Sequence, residues 1–369
     1  MRIERIELRI VSLPLVRPFR TSSSVKNHIQ HILIRVEDGG GRSGWGECAS
    51  PADPYYCPET TGTCWHILND FLAPAVLGRD CSTVEDLVDA YRLVKGNNFA
   101  KSGLEMACWD LLSRSEGKPL HEMLGGTRTL IESGVSLGIE PDVDALLALV
   151  GKYVDEGYRR VKLKIGPGHD VEVLRRVRAQ FPDLPLQVDA NSAYTLDDLD
   201  LLRRLDEFGL LLIEQPLDHD DIIDHARLQR AIETPVCLDE SIHSAEDARK
   251  AIEIGACRII NIKVSRVGGL AEAKRVHDVC QAHDVPVWCG GMHEFGVGRG
   301  ANIAIASLPG FTLPGDVSGS DKYYREDVVV PAIRAEDGCI AVPDRPGLGF
   351  EPILERIEAL TSRSVLLTV

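Results

Sequence analysis

Five charged residues recur at a nearly fixed interval in the second half of the chain, each at the end of a short apolar run. They are Lys164, Asp189, Glu214, Asp239 and Lys263, spaced 25, 25, 25 and 24 residues apart. A repeat of this length fits one strand, one helix and two short connections. Because the carboxyl ends of strands in a closed parallel barrel meet on one face, the spacing predicts that three carboxylates and two lysines converge there.

Alternation along the strands predicts that these charged side chains point into the barrel. In VKLKI, Val161, Leu163 and Ile165 share one face of the strand, and Lys162 and Lys164 share the other. Since the apolar face of a barrel strand packs under the helices, the two lysines are predicted to face the interior. A structural ion pair would explain one such buried charge, but not charges at five successive strand ends.

The residue types predict proton transfer next to a metal-bound carboxylate. Asp189, Glu214 and Asp239 supply hard oxygen ligands, which favour Mg²⁺, with Mn²⁺ as a possible substitute. Lys164 and Lys263, predicted on strands two and six, would stand on opposite sides of the barrel mouth. One could remove a proton beside a carboxylate and the other return it to the opposite face, or assist a leaving group. The metal would stabilise the negative charge that develops.

Further residues are predicted to support this chemistry. A lysine that acts as a base must lose its proton, although its reference pKa is about 10.4. A neighbouring positive charge lowers that pKa, and Lys162 and Arg266 are spaced to do so for Lys164 and Lys263 respectively. Other residues are predicted to contact the substrate or to orient the metal ligands: Ser136, Asn191, Glu240, Gly291 and Met292.

The surrounding pattern predicts an α+β domain followed by a barrel. Residues 1–48 alternate like antiparallel strands, and residues 63–124 have helical periodicity. Strand candidates then alternate with helical segments at 133–138, 160–165, 185–190, 210–214, 235–239, 258–263, 285–290 and 311–315. We therefore predict an α/β protein, a (β/α)7-8 TIM-type barrel with an N-terminal α+β capping domain. The predicted division is 1–128 for the capping domain, 129–324 for the catalytic barrel and 325–369 for a segment that returns to the capping domain.

Composition excludes several classes of partner. The formal net charge is −15, which disfavours nucleic acid and anionic membranes. No apolar run approaches the roughly 18 residues that a membrane span requires. The ten cysteines include no Cys-x-x-Cys pair, and several lie in apolar runs, which favours a reducing compartment. We expect a cytoplasmic enzyme with a small-molecule carboxylate substrate.

The motifs resemble those of the enolase superfamily, in its muconate-lactonising subgroup. That subgroup has Lys-x-Lys on strand two, Asp, Glu and Asp metal ligands on strands three to five, and a lysine on strand six. The mandelate-racemase subgroup has a His–Asp pair instead. Matching segments here are VKLKI, QVDANSAYT, LLIEQPL, CLDESI and IINIKVSRVGG. Together with VPVWCGGMHEFGVGR and IASLPGFTLPGD, they are similar to the N-succinylamino acid racemase and o-succinylbenzoate synthase family.

The resemblance implies Lys164 and Lys263 as an acid–base pair, with the three carboxylates on Mg²⁺. It also implies that two loops of the capping domain, at about 17–26 and 49–60, close over the substrate, and that the chain forms a homo-oligomer. The implied reactions are racemisation of N-acylamino acids and dehydration of a hydroxycyclohexadiene carboxylate to o-succinylbenzoate.

Alternatives within this resemblance differ in substrate. LPGDVSGSD lacks the Asp-x-Asp of dipeptide epimerases, and Arg266 in KVSRVGG is associated with racemising members. The racemase is therefore preferred. The alternatives are a dedicated o-succinylbenzoate synthase of menaquinone synthesis, a muconate cycloisomerase and a dipeptide epimerase. A barrel kept only as a binding scaffold would be expected to have lost some of the five charges.

Overall fold

An antiparallel sheet begins the chain in the computed structural model, which describes residues 1–20 and 25–369. It contains β1 (Ile3–Arg20), β2 (Val25–Asp38) and β3 (Ser43–Cys48). The last strand of the chain, β15 (Thr361–Thr368), pairs antiparallel with β1, so the order is β15-β1-β2-β3. The C-terminal segment thus joins the N-terminal sheet. The domain boundaries given above stay predictions.

The first of the two predicted substrate loops overlaps the ends of two strands. Pairing between β1 and β2 shifts register after Pro14 and resumes with Phe19 opposite Lys26. Residues 17–20 of the predicted loop therefore belong to β1 and residues 25–26 to β2. Residues 21–24 of that prediction lie outside the described residues.

Helices cover one side of this sheet. They are α1 (Thr61–Ile67), α2 (Ala73–Val76), α3 (Val84–Ala90), α4 (Asn98–Glu116) and α5 (Leu120–Leu124), with a π-helical turn at Leu68–Leu72. Helix α4 lies directly against β3, where a Cβ atom at Gly46 would overlap the carbonyl oxygen of Gly103. The glycines of GWGEC therefore permit close packing of this helix on the sheet.

A curved sheet of seven parallel strands forms the second layer. The strands are β5 (Val135–Leu137), β6 (Val161–Lys164), β7 (Leu186–Asp189), β8 (Ile213–Glu214), β9 (Val236–Leu238), β10 (Ile259–Ile262) and β11 (Val287–Cys289). Their order in the sheet is β11-β10-β9-β8-β7-β6-β5. The outer helices are α6 (Val143–Asp155), α7 (Val171–Gln180), α8 (Leu199–Arg204), α9 (Ile223–Ala231), α10 (Ala245–Glu253), α11 (Val264–Val267), α12 (Leu270–Ala282) and α13 (Gly296–Ala306). This architecture confirms the predicted barrel with a capping domain.

The predicted eighth strand, 311–315, closes the barrel without forming a regular strand. Phe311 makes one bridge to Val287 of β11, and Gly315 makes one bridge to Ser133, which lies two residues before β5. The amide of Gly134 donates to Gly315 O at 2.7 Å, and the amide of Asp316 donates to Cys289 O at 2.8 Å. Pro314 has no amide hydrogen, which limits regular pairing on this segment.

Short elements complete the chain. They are 3₁₀ turns at Leu196–Asp198, Leu205–Phe208 and Ser320–Lys322, the strands β4 (Leu130–Glu132), β12 (Val329–Val330), β13 (Cys339–Ala341) and β14 (Glu351–Pro352), and the helix α14 (Leu354–Ala359). None of the helices among the described residues has both the length and the apolar character needed to cross a membrane.

Candidate active site

A cavity of about 350 Å³ lies at the carboxyl ends of the barrel strands, under the capping domain. The capping domain contributes Phe19 and Lys26 from the hairpin and Tyr56 from the loop at 49–60. From the barrel, the lining includes every residue predicted to contact substrate or orient ligands: Ser136, Asn191, Glu240, Gly291 and Met292. It also includes Lys162, Lys164, Asp189 and Lys263, whereas Glu214, Asp239 and Arg266 are buried behind this lining.

Lys164 and Lys263 approach the cavity from opposite sides. Lys164 is the last residue of β6, and Lys263 directly follows β10. Strands β7, β8 and β9 lie between them in a barrel that closes with an eighth segment. Two amines so placed can reach opposite faces of one bound carbon atom.

The ammonium group of Lys164 is held by neighbours from a single barrel strand and the turn after it. Its Nζ donates to Asp189 Oδ2 at 2.6 Å and to Asn191 Oδ1 at 2.5 Å. Asn191 has a left-handed backbone, with φ of 44°, and its amide bonds Asp189 Oδ1 at 3.0 Å. The side-chain nitrogen of Asn191 also donates to Glu240 Oε1 at 2.9 Å. The tight turn therefore brings a second polar partner to Lys164.

The ammonium group of Lys263 has one partner from the barrel and one from the capping domain. Its Nζ donates to Asp239 Oδ2 at 2.7 Å and to the Tyr56 hydroxyl at 3.0 Å. That hydroxyl donates to Asp239 Oδ1 at 3.1 Å. Burial lowers the pKa of Lys263, but the electrostatic effects of Tyr56, Glu240 and Glu214 outweigh it, so the pKa is raised.

Arg266 contacts Asp239 and not Lys263. Its Nη1 bonds Asp239 Oδ1, and its Nε donates to the carbonyl of Ile242 at 2.7 Å. The largest effects on the pKa of Lys263 come from burial, Tyr56 and Glu240, and the lowering predicted for Arg266 stays a prediction. The carboxylate beside Arg266 offsets the positive charge on which the prediction relies.

Lys162 is likewise paired with carboxylates. Its Nζ lies 2.6 Å from Asp316 Oδ2 and 2.9 Å from Glu214 Oε2. Asp189 Oδ2 is 3.4 Å away, and the Trp288 ring centroid is 4.8 Å away. Burial lowers the pKa of Lys162, but these carboxylates, Asp316 first, raise it above its usual value. Lys162 is thus a counter-ion of the carboxylates, and its predicted effect on Lys164 rests on spacing alone.

The predicted metal ligands are neighbours at the strand ends. Asp189 and Glu214 are opposite each other in the register of β7 and β8, and Asp239 follows β9. Burial raises the pKa of Glu214, and the charge of Asp189 raises it further. Burial and Asp189 have the same effect on Glu240, whose Oε2 is buried without a hydrogen-bond partner among the described residues. Mutually repelling oxygen ligands with one open acceptor fit a divalent cation such as Mg²⁺.

The three carboxylates are bonded to cationic side chains and do not form a compact triad. Over residues 1–20 and 25–369, one group of His, Cys, Asp or Glu residues has its ligand atoms all within 4.8 Å of one another, and it lies elsewhere, at His121, Glu122 and Asp344. Each of the three carboxylates accepts a hydrogen bond from a lysine: Glu214 from Lys162, Asp189 from Lys164 and Asp239 from Lys263. The assignment of Asp189, Glu214 and Asp239 as metal ligands therefore stays a prediction.

Sequence reasoning missed three residues of this site. Asp316 lies at the end of the eighth barrel segment and bonds Arg160 Nη1 at 2.7 Å as well as Lys162. Its place at the end of a strand candidate was the available signal. Asn261 shares a strand face with Lys263 and donates to Glu214 Oε1 at 2.8 Å. Tyr56 lies far from the barrel in sequence, and no spacing pattern identifies it.

Two family models together match most of the chain. Residues 5–125 match the N-terminal domain of mandelate racemase and muconate lactonizing enzymes. Residues 145–356 match the enolase C-terminal domain-like model.

Relatives match over nearly their full length. An o-succinylbenzoate synthase of Geobacillus stearothermophilus is 51% identical over 359 residues, covering 97% of this chain and 96% of the relative. An N-succinylamino acid racemase of Amycolatopsis sp. is 49% identical over 366 residues, covering 99% of each. The crystal structure of an enolase superfamily member from Listeria innocua has a TM-score of 0.96 and 38% identity, covering 100% of this chain and 99% of that one.

Proposed function

Because the chain belongs to the enolase superfamily, in its mandelate racemase and muconate lactonizing enzyme group, we propose that it is a Mg²⁺-dependent N-succinylamino acid racemase that also has o-succinylbenzoate synthase activity. The observation that carries the proposal is the placement of Lys164 and Lys263 on opposite sides of one cavity, beside buried carboxylates. The relatives named above support both activities.

Asp189, Glu214 and Asp239 would hold the cation. When bound, Mg²⁺ would bind the substrate carboxylate and stabilise the negative charge that develops on it. A positive charge at this place also favours neutral amines nearby, which is the form a base requires.

In racemisation, one lysine amine removes the α-proton from one face of the substrate. The ammonium of the other lysine then donates a proton to the same carbon from the opposite face, which inverts the centre. In the synthase reaction, an amine removes the proton beside the carboxylate, and a hydroxyl group leaves the adjacent carbon as water after receiving a proton. The two reactions share the first step, which explains how one site could support both.

An acylated substrate is favoured over a free amino terminus by the sequence. LPGDVSGSD lacks the Asp-x-Asp of dipeptide epimerases, so no pair of carboxylates is provided there for a substrate ammonium. The cavity lining itself carries both signs of charge, with Lys26 and Asp53 from the capping domain and paired lysines and carboxylates from the barrel. The preference for an acylated substrate therefore rests on the motif.

A substrate panel tests the proposal. Both enantiomers of several N-succinyl amino acids, a dipeptide, cis,cis-muconate and the o-succinylbenzoate precursor are each incubated with the protein and Mg²⁺, and products are followed by chiral chromatography and NMR. We expect racemisation of the N-succinyl amino acids and formation of o-succinylbenzoate, both lost in excess chelator. Faster turnover of muconate or of the dipeptide would contradict the proposal.

The compartment and the assembly are further expectations. All ten cysteines are free thiols, which fits the reducing compartment expected of a cytoplasmic enzyme. A homo-oligomer remains a family-based prediction, which light scattering would test.

A further inference from the structure

Lys164 and Lys263 each have two hydrogen-bond partners among the described residues. For Lys164 they are Asp189 and Asn191, and for Lys263 they are Asp239 and Tyr56. An ammonium group has three N–H bonds in fixed tetrahedral directions. Two partners therefore fix the direction of the third bond. Since both side chains line the cavity, that third direction is available to a bound substrate.

The same contacts aim the lone pair of the neutral amine. After the ammonium transfers one proton, its two remaining N–H bonds can stay on the same two oxygens. The lone pair then occupies the direction that the transferred proton left. A lysine with only one partner can rotate about its Cε–Nζ bond, so its lone pair spends less time aimed at the substrate carbon.

Tyr56 differs from the other partners because it belongs to the capping domain. Its hydroxyl accepts from Lys263 Nζ at 3.0 Å and donates to Asp239 Oδ1 at 3.1 Å, and its ring centroid lies 4.6 Å from that Nζ. Over residues 1–20 and 25–369, the hydrogen-bond partners of Lys164 both come from β7 and the turn after it.

The capping domain holds Tyr56 in place through its own contacts. The Tyr56 ring packs edge-on against Phe99, with centroids 6.5 Å apart. Three residues later in the same loop, the Glu59 carboxylate accepts from the amides of Phe99 at 3.1 Å and Ala100 at 3.3 Å. These amides belong to the first turn of α4, where a carboxylate is favoured by the free N–H groups. The loop that carries Tyr56 is thus anchored to the longest helix of the capping domain.

We propose that Tyr56 is a positioning residue that aims the Lys263 amine, so that proton transfer on the Lys263 face of the substrate depends on the capping loop and transfer on the Lys164 face does not. This inference rests on the proposed function, because it requires proton transfer on both faces. Asn191 is the corresponding positioning residue for Lys164.

The test is Tyr56→Phe, which keeps the ring and removes only the hydroxyl. Exchange of the α-proton is measured by NMR in D₂O with Mg²⁺, separately for the two enantiomers of one N-succinyl amino acid. Lys263→Ala and Lys164→Ala identify which enantiomer each lysine deprotonates. In Tyr56→Phe, we expect exchange of the enantiomer that Lys263 deprotonates to fall about tenfold or more, as for loss of a hydrogen bond to a charged group. Exchange of the enantiomer that Lys164 deprotonates should change less than about twofold, within ordinary variation for a distant site.

Two further variants separate positioning from a general structural effect. Asn191→Gly keeps the left-handed backbone and removes one partner of Lys164. It should therefore slow exchange of the enantiomer that Lys164 deprotonates more than exchange of the other, which is the opposite of the result expected for Tyr56→Phe. Tyr91→Phe is the matched control in the same domain, because the Tyr91 hydroxyl is buried without a hydrogen-bond partner among the described residues. It should leave both exchange rates unchanged.

The possible failures are distinguishable. If Tyr56→Phe slows exchange of both enantiomers equally, or of neither, while the lysine variants still separate the enantiomers, the positioning role of Tyr56 is wrong and the proposed function stands. If the unmodified protein exchanges neither enantiomer of any N-succinyl amino acid, the proposed function is wrong and the inference falls with it.

Discussion

A lysine amine lies on each side of the cavity, but the residues that hydrogen-bond to the two amines come from different parts of the molecule. On the Lys164 side, the partners Asp189 and Asn191 lie on one barrel strand and its following turn. On the Lys263 side, the barrel supplies Asp239, and the capping domain supplies Tyr56 across 207 residues of sequence. In the part of the chain that the structure describes, the hydrogen-bond partners of Lys164 thus belong to the barrel alone, whereas those of Lys263 come from two domains.

This difference teaches where changes in the capping domain will act. A loop substitution that moves Tyr56 affects one lysine directly and leaves the partners of the other in place. A change in the barrel carboxylates affects both lysines, because Asp189, Glu214 and Asp239 lie between them at the ends of adjacent strands. The predictions below separate shared from one-sided effects.

The largest expected effect comes from removing a carboxylate shared by both sides. Glu214→Gln should slow α-proton exchange of both enantiomers by about a thousandfold or more, because the cation that Glu214 is predicted to bind would stabilise charge in either direction. The measurement is NMR exchange in D₂O at saturating Mg²⁺. Glu253→Gln, which changes an exposed ion pair with Arg249, is the control and should have no effect. Loss confined to one enantiomer would contradict a shared role for Glu214.

A smaller effect is expected when the network behind Lys164 loses its anion. Asp316 lies between Arg160 and Lys162, and its side chain is largely buried. Asp316→Asn leaves both cations without this partner, so the free energy of unfolding should fall by about 3 kcal/mol. Asp321→Asn breaks an ion pair with Arg334 that is exposed, and it should cost about 0–1 kcal/mol. Equal losses in urea unfolding would show that the buried network contributes no more than a surface pair.

The Asp316 contribution should also depend on pH. Burial raises the pKa of Asp316, but Lys162 and Arg160 outweigh it and hold the pKa below its usual value. A carboxyl whose pKa is lower in the folded state stabilises the protein above the pKa of the unfolded state, and this is lost as pH falls through the folded value. The stability difference between the unmodified protein and Asp316→Asn should therefore be full at neutral pH and shrink in acid. A difference that grows in acid would contradict this.

The smallest effect is expected at the hairpin of the capping domain. The Phe19 ring lines the cavity and packs edge-on against His293, with centroids 4.6 Å apart. Phe19→Ala should raise KM several-fold with little change in kcat, because it removes apolar contact that serves ground state and transition state alike. Val16→Ala, on an exposed part of the same strand, should change neither constant. A fall in kcat for only one enantiomer would contradict this expectation, and it would show that Phe19, like Tyr56, affects proton transfer on one face of the substrate.

The barrel half of the site could be predicted because its residues follow a period. Each charged residue ends a strand, and parallel strands of a barrel end on one face, so spacing and alternation were sufficient to place Lys164 and Lys263 at one cavity. Asp316 fits the same rule but was missed, since it follows the strand candidate at 311–315 and is not part of it.

The capping half could not be predicted in the same way. The Tyr56 loop has no periodicity, and its position depends on how Glu59 binds the start of α4. The roles predicted for Lys162 and Arg266 show a related limit. Spacing placed each cation near a lysine that is predicted to be catalytic. The carboxylates that pair with these cations come from other strands, and only the folded structure brings the charges together.

The central claim, that two lysines act on opposite faces of one substrate carbon, is tested most directly by enantiomer-resolved exchange. Each enantiomer of an N-succinyl amino acid is incubated in D₂O with Mg²⁺ and either Lys164→Ala or Lys263→Ala. We predict that each variant loses exchange of one enantiomer by about 10²–10⁴-fold, the usual contribution of a general base, and that the two variants lose opposite enantiomers. Loss of the same enantiomer in both variants, or full exchange of both in either variant, would contradict the account.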